Sequence, residues 1–280
     1  MTRNLSGLDL KHADFSGEDL KGSNLAGSNL SHSLFMGANL TDANLMGSDL
    51  GGADLSYANL LRTNLTRTNL TGANLQHASI INAVLTSCTF INSDLGFANL
   101  VDGNLGGLNL SGANLTGANL TGANLANADL TRINLTGASL CNANLTGAKL
   151  AEANCHNAVF DGANLTEAIL SGHYLSGPYR NTTLEGASFV GANLARANFS
   201  GEPPRGNIRV LSGANLSCAD LRNANLECSS LRRADLRGAD LTGANLTDAD
   251  LCMADLTGAK LTGANFTGAY LGEVVGYPPS

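Results

Sequence analysis

Ser-Gly-Ala-Asn-Leu-Thr-Gly-Ala-Asn-Leu-Thr-Gly-Ala-Asn-Leu occupies residues 111–125, one five-residue unit written three times around Leu115, Leu120 and Leu125. Let the leucine be position i. Ala is then i−2, Asn is i−1, and Thr and Gly are i+1 and i+2. A helix turns about 100° per residue, so leucines five apart wander round its cylinder and form no stripe. In a strand of period two they fall on alternating faces. Neither regular element buries them together. A chain that turns inward once per pentapeptide does. A small residue at i−2 fits beside Leu in a narrow interior, while i−1, i+1 and i+2 face water. Gly at i+2 eases the bend. Self-similarity at a fixed period marks a solenoid, whose coils bury their apolar edges against their neighbours.

The unit Ala118-Asn119-Leu120-Thr121-Gly122 matches A(D/N)LXX at every position. The chain thereby resembles the pentapeptide-repeat proteins, closest to their highly regular bacterial and cyanobacterial type. The resemblance implies an all-β fold, a right-handed quadrilateral parallel β-helix with four pentapeptides per coil. Two features implied for some members are mimicry of duplex DNA and binding to DNA gyrase or another type II topoisomerase.

From Leu5 to Leu175 a centre falls at every fifth residue without a slip. The register predicts regular coils over 3–175, a loop at 176–183, coils over 184–199, a loop at 200–210, coils over 211–271 and a tail at 272–280, all within one solenoid domain spanning 1–280. About 52 centres at four per coil give about 13 coils, and at about 4.8 Å per layer a rod on the order of 60 Å long. Phe15, Phe35 and Phe160 take Leu positions in the core. Phe15 and Phe35 are twenty residues apart and should stack. The first loop contains Pro178, Tyr179 and Arg180, the second Pro203, Pro204 and Arg205. Proline lacks the ladder donor, so both segments leave the coil. Val274, Val275 and Tyr277 are expected to fold over the end of the core.

Stacking by twenty turns the sequence into columns. Asn4, Asn24, Asn44 and Asn64 begin one that Val84 interrupts, and stacked amides can bond along the axis. Twelve of the sixteen aspartates sit at i−1. Most alternate with Asn, which keeps like charges two layers apart; Asp235 and Asp255 are an exception. His12 and His32 share an i+2 column, whereas His77, His156 and His173 read as scattered. Arg222, Arg232, Arg233 and Arg237 spread among Asp220, Glu227, Asp235 and Asp240 as a mixed, solvated surface.

The chain carries a net charge of −7, with 14% charged residues and no Trp. A thin leucine column needs no large aromatic core. No apolar run approaches the roughly 18 residues of a membrane span, and because Met1-Thr2-Arg3-Asn4-Leu5 enters the repeat at once, no signal peptide is expected. The expected location is cytoplasmic. The six cysteines share no stacked column, so they are read as reduced and structural. The Asn-Leu-Thr sequons are by-products of the repeat.

No spacing of Cys or His matches a zinc site, and no nucleotide-binding or nucleophile-elbow motif is present. Evenly spaced carboxylates on a convex face do not make a catalytic pair. No catalytic residue, cofactor or metal is expected. The sequence reads as a non-enzymatic structural or protein-interaction scaffold. Its partner contacts are placed at Pro178, Tyr179, Arg180, Pro203, Pro204 and Arg205, because irregular loops on rigid scaffolds carry recognition. A homodimer through open coil ends is a further option, and direct nucleic-acid binding is not expected. The topoisomerase-binding alternative meets a charge mismatch. About 60 Å of duplex carries on the order of 35 negative charges, and the last 80 residues here hold nine acids and seven bases.

Overall fold

The computed structural model describes residues 2–170, 189, 194, 198, 199 and 211–277. The chain divides into two compact units, Met1–Ala138 and Ser139–Ser280.

In the first unit, every side of the coil is bridged in parallel to the residue twenty positions on, as in Asn4↔Asn24↔Asn44↔Asn64. Four pentapeptides therefore make one layer. The bridges are isolated residues at i−1, separated by turns, and do not extend into strands. The pentapeptide 43–47 shows why the pattern holds. Ala43 N–H donates to Leu40 O (2.9 Å), closing the turn. Asn44 N–H donates down to Ser23 O (2.9 Å), while Leu45 and Gly47 N–H donate up to Asn64 O and Thr66 O (both 2.8 Å). Met46 N–H meets no backbone acceptor and is taken by Asn44 Oδ1 at 3.2 Å. All five donors are satisfied, as a buried backbone requires. Asn or Asp at i−1 is thus the acceptor for the one N–H the ladder leaves over.

The same Oδ1 accepts a second bond. Asn64 Nδ2 donates to Asn44 Oδ1 (3.2 Å) and Asn44 Nδ2 to Asn24 Oδ1 (3.3 Å). Asn29, Asn39 and Asn69 donate likewise to Asp9, Asp19 and Asp49 at 2.8–2.9 Å. Each amide points to the preceding coil, so an Asp, which only accepts, fits below an Asn. The i−1 side chains expected in water are for the most part half-buried along these ladders.

The core is the column of centres. Leu115, Leu120, Leu125 and Phe35 are buried, and the Phe15 and Phe35 rings stack with centroids 5.0 Å apart. Burial of each such side chain stabilises by about 1.5–3 kcal/mol. At i−2, small hydroxyls fill the remaining space and bond inward, as Thr63 Oγ1 does to Leu40 O (2.7 Å). Thr89 Oγ1 is the one buried side-chain polar atom without a partner among the described residues.

The second unit repeats these rules around Leu241, where Thr242 N–H bonds Asp240 Oδ1 (3.1 Å). Phe160 is buried in its core. Its pairing distance changes at the first break. Phe160 stacks on Phe189 (centroids 4.8 Å), and Leu170 N–H donates to Asn198 O. Partners there are 29 residues apart instead of twenty. The sequence counts two centres there, Leu175 and Leu184, and both lie outside the described residues. Leu211 is a true centre, buried and bonded to Ser230 O. Asp220↔Asp240 joins Asp235↔Asp255 as a second directly stacked aspartate pair.

The tail does less capping than expected. Val275 continues the ladder over Asp255 and stays exposed, with Gly276 in the place of the next centre. Only Tyr277 lies against a core ring, edge-on to Phe266 at 5.1 Å.

Candidate interaction face

Every described i+2 residue has a left-handed backbone. At Gly7, Gly72 and Gly137 φ is +67, +67 and +65°. The third residue of a type II turn needs this conformation. Yet 25 non-glycine residues also occupy i+2, and none of them is Val, Ile or Thr. Branching at Cβ is what this backbone tolerates least. The residues that do occupy i+2 project outward, and those twenty apart stack along the axis.

One such column stands out in the first unit. Tyr57 stacks on His77 (centroids 4.7 Å, planes 9° apart), and His77 stacks on Phe97 (5.1 Å, 8°). Tyr57 and Phe97 remain 62% and 58% exposed, so two aromatic side chains stand in water. Exposed Leu34 and Met36 lie on the same side of the coil, one layer below Tyr57. On the next side, Leu61, Ile81 and Val101 form a half-buried aliphatic column at i+1. Exposed apolar patches of this kind mark interaction sites. The signal was present in the sequence as Tyr, His and Phe at spacing twenty in the turn position. Reading His77 as scattered hides it.

The side carrying the column is acidic. Its stretches 13–17, 33–37, 53–57, 73–77 and 93–97 hold Asp14, Asp54 and Asp94, and no Lys or Arg. The Ser16 N–H holds the Asp14 carboxyl below its ordinary value. Asp54 accepts from Ser56 N–H and Asn74 Nδ2, and on the next side Glu18 pairs with Arg3 at 2.5 Å. At the next corner Arg62 grips Asp42 with two bonds, 2.7 and 2.9 Å, and lowers its pKa.

The other sequence-noted clusters are self-contained. His12 and His32 stack at 5.5 Å, and no group of three His, Cys, Asp or Glu able to hold a metal occurs among the described residues. In the second unit Arg222 pairs with Asp220 and Arg237 with Asp235, each at 2.6 Å. Arg232 pairs with Asp250 (3.1 Å) and Lys260 with Asp240 (3.3 Å). These are the mixed surface expected from the sequence. Burial pushes the Cys88 and Cys155 thiols up to about 12, which makes both inert at neutral pH. No helix among the described residues is long and apolar enough to cross a membrane. Pro178, Tyr179, Arg180, Pro203, Pro204 and Arg205 lie outside the described residues.

The family described as Pentapeptide repeats matches this chain over residues 4–42, 33–72, 43–80, 68–107, 98–137, 138–177, 180–201, 210–243 and 239–274. No curated protein sequence matches it. Among solved structures it is similar to HetL, a pentapeptide repeat protein involved in heterocyst differentiation regulation from the cyanobacterium Nostoc sp. strain PCC 7120. Identity is 33% over 83% of this chain and 86% of that one, with a TM-score of 0.43. A pentapeptide repeat protein from the Arabidopsis thaliana thylakoid lumen is 32% identical over 44% of this chain and 71% of its own, TM-score 0.30. QnrB1, a plasmid-mediated fluoroquinolone resistance protein, is 19% identical over 85% and 89% of the two chains, TM-score 0.26. With the repeat matched from residue 4 to residue 274, the chain belongs to the pentapeptide-repeat family.

Proposed function

We propose that the protein is a non-enzymatic scaffold that binds another protein through the Tyr57–His77–Phe97 face of its first unit. The observation that carries this reading is the exposed aromatic stack, with Leu34 and Met36 on the same side beside it. Aromatic side chains anchor interfaces because they bury large area at low entropic cost. The fold supports the rest: its polar side chains are committed to the ladder, and its buried thiols are silent. The sequence-inferred contacts at 176–183 and 200–210 form a second part of the same proposal. Right-handed winding, about 13 coils and a cytoplasmic location complete it.

The test is quantitative affinity capture with the wild type, a Tyr57→Ser/Phe97→Ser double variant and an Arg222→Ala control. A partner retained by wild type and control and lost by the double variant is the expected result. Identical capture by all three defeats the reading. Light scattering of the same samples reads out self-association through the coil ends. The topoisomerase alternative loses ground on this surface. In the second unit Asp220, Asp235, Asp240 and Asp250 are each held by a basic residue, which removes the bare row of anions a duplex mimic presents.

A further inference from the structure

The i+2 side chains lean in one direction, toward the following coil. A Cβ on Gly117 would lie 2.5 Å from Phe97 Cε1, one on Gly112 2.1 Å from Asn92 Oδ1, and one on Gly122 2.1 Å from Asp102 Oδ1. Each of those glycines is covered by the side chain from the coil before it. Gly37 is not covered: nothing lies within 4 Å of its Cβ position, nor of that of Gly17 below it. Tyr57, one coil above Gly37, leans away on to His77. One face of the Tyr57 ring is therefore stacked, and the other meets no side chain of its own column. An empty step is left in the column above the bare backbone of Gly37.

We propose that this step takes the guanidinium of an arginine side chain presented by the partner protein. The proposal rests on the docking reading above and names the chemistry of its first contact. The rings above it repeat every 4.7–5.1 Å, so the step admits one flat group stacked on Tyr57. The side it opens on carries three carboxylates, Asp14, Asp54 and Asp94, and no Lys or Arg, and it draws a cation. Arginine fits both requirements: it is planar, weakly hydrated and stacks on aromatic faces, whereas lysine is a strongly hydrated point charge. The exposed Met36 and Leu34 side chains offer apolar surface to the arginine stem. A partner aromatic ring also has the right shape, but it desolvates the nearby carboxylates without compensation.

The probes are N-acetyl-arginine amide, N-acetyl-lysine amide and N-acetyl-tryptophan amide, titrated into protein with labelled Tyr and Phe rings and followed by NMR. The expected result is a saturable shift of Tyr57 with the arginine probe, weaker at Phe97, and about threefold or more smaller with the lysine probe. Gly37→Asn should abolish it. Asn tolerates the left-handed backbone, and from this position it leans on to Tyr57 as Asn92 leans over Gly112. Asp54→Asn keeps an Oδ1 acceptor for Ser56 N–H and should weaken the arginine response several-fold. Thermal unfolding of both variants shows that the fold persists. Equal shifts with arginine and lysine, or a Tyr57 response to tryptophan alone, overturn the arginine assignment. So does an arginine response that survives Gly37→Asn, or no response to any probe. The docking face itself falls only if capture is indifferent to Tyr57→Ser/Phe97→Ser, so the two failures are distinguishable.

Discussion

At the scale of the residue, the turn position i+2 shows how the repeat is policed. Its backbone is left-handed in glycine and non-glycine alike, near +55 to +70°. An L-residue there costs about 1–2 kcal/mol, least for Asn and Asp. Gly72 tests this without interference, since nothing lies within 4 Å of its Cβ position. Gly72→Val should lower stability to urea by about 2 kcal/mol and Gly72→Asn by under about 1 kcal/mol. Equal losses would mean that contacts, and not the backbone, decide the position. The thiols give a second test. Cys218 is exposed, while Cys88 and Cys155 are buried with thiols pushed up to about 12. Iodoacetamide at pH 8 followed by peptide mass spectrometry should modify Cys218 first. Cys88 and Cys155 should label only in denaturant, each reporting on its own unit.

At the scale of the element, columns matter more than neighbours in sequence. Gly117 lies under the Phe97 ring, and Gly137 has the same backbone angle with open space around it. Gly117→Ala and Gly137→Ala should share the left-handed cost. Only the first should also displace Phe97 and shift its ring resonances together with those of His77. Matching spectra for the two variants would remove the stack as a structural unit. The ion pairs of the second unit set its acid limb. Arg222 and Arg237, each hydrogen-bonded to an aspartate, hold Asp220 and Asp235 below the usual carboxylate value of 3.8. A depressed folded-state pKa contributes stability above the unfolded value, and that contribution is lost as pH falls through about 4 and below. Arg237→Met should flatten the pH dependence of stability in this window and leave it unchanged at higher pH. The effect is modest because both partners are partly exposed and screened by salt. An acid limb as steep as wild type counts against the pair.

At the scale of the whole molecule, charge and surface chemistry separate the two functional readings. A net charge of −7, with the second unit's aspartates largely tied to basic residues, is far from the on the order of 35 charges of a duplex about 60 Å long. A gyrase supercoiling assay should show no inhibition at micromolar protein. Inhibition at that level would restore the topoisomerase alternative. The aromatic face points instead to a partner met by one side of the first unit.

The repeat by itself determined the inward place of the Leu centres and, with the four-unit layer that the family resemblance implies, the stacking of Phe15 on Phe35, the shared column of His12 and His32, and the Asn column broken at Val84. All of these follow from a period of five once four units make a layer, because each is a statement about residues at fixed spacing. Three things were decided only by the tertiary structure. The i−1 side chain proved to be the acceptor for the i+1 N–H, because only the assembled ladder shows which backbone donor is left over. Phe160 pairs with Phe189 and Leu170 with Asn198 across the first irregular segment, at a spacing other than twenty. Register across an irregular segment is set by which layers pair, and no local spacing records that. Tyr57, His77 and Phe97 became a single exposed stack with one face open. Residues twenty apart share a column in any such coil, but the direction in which side chains lean exists only in three dimensions.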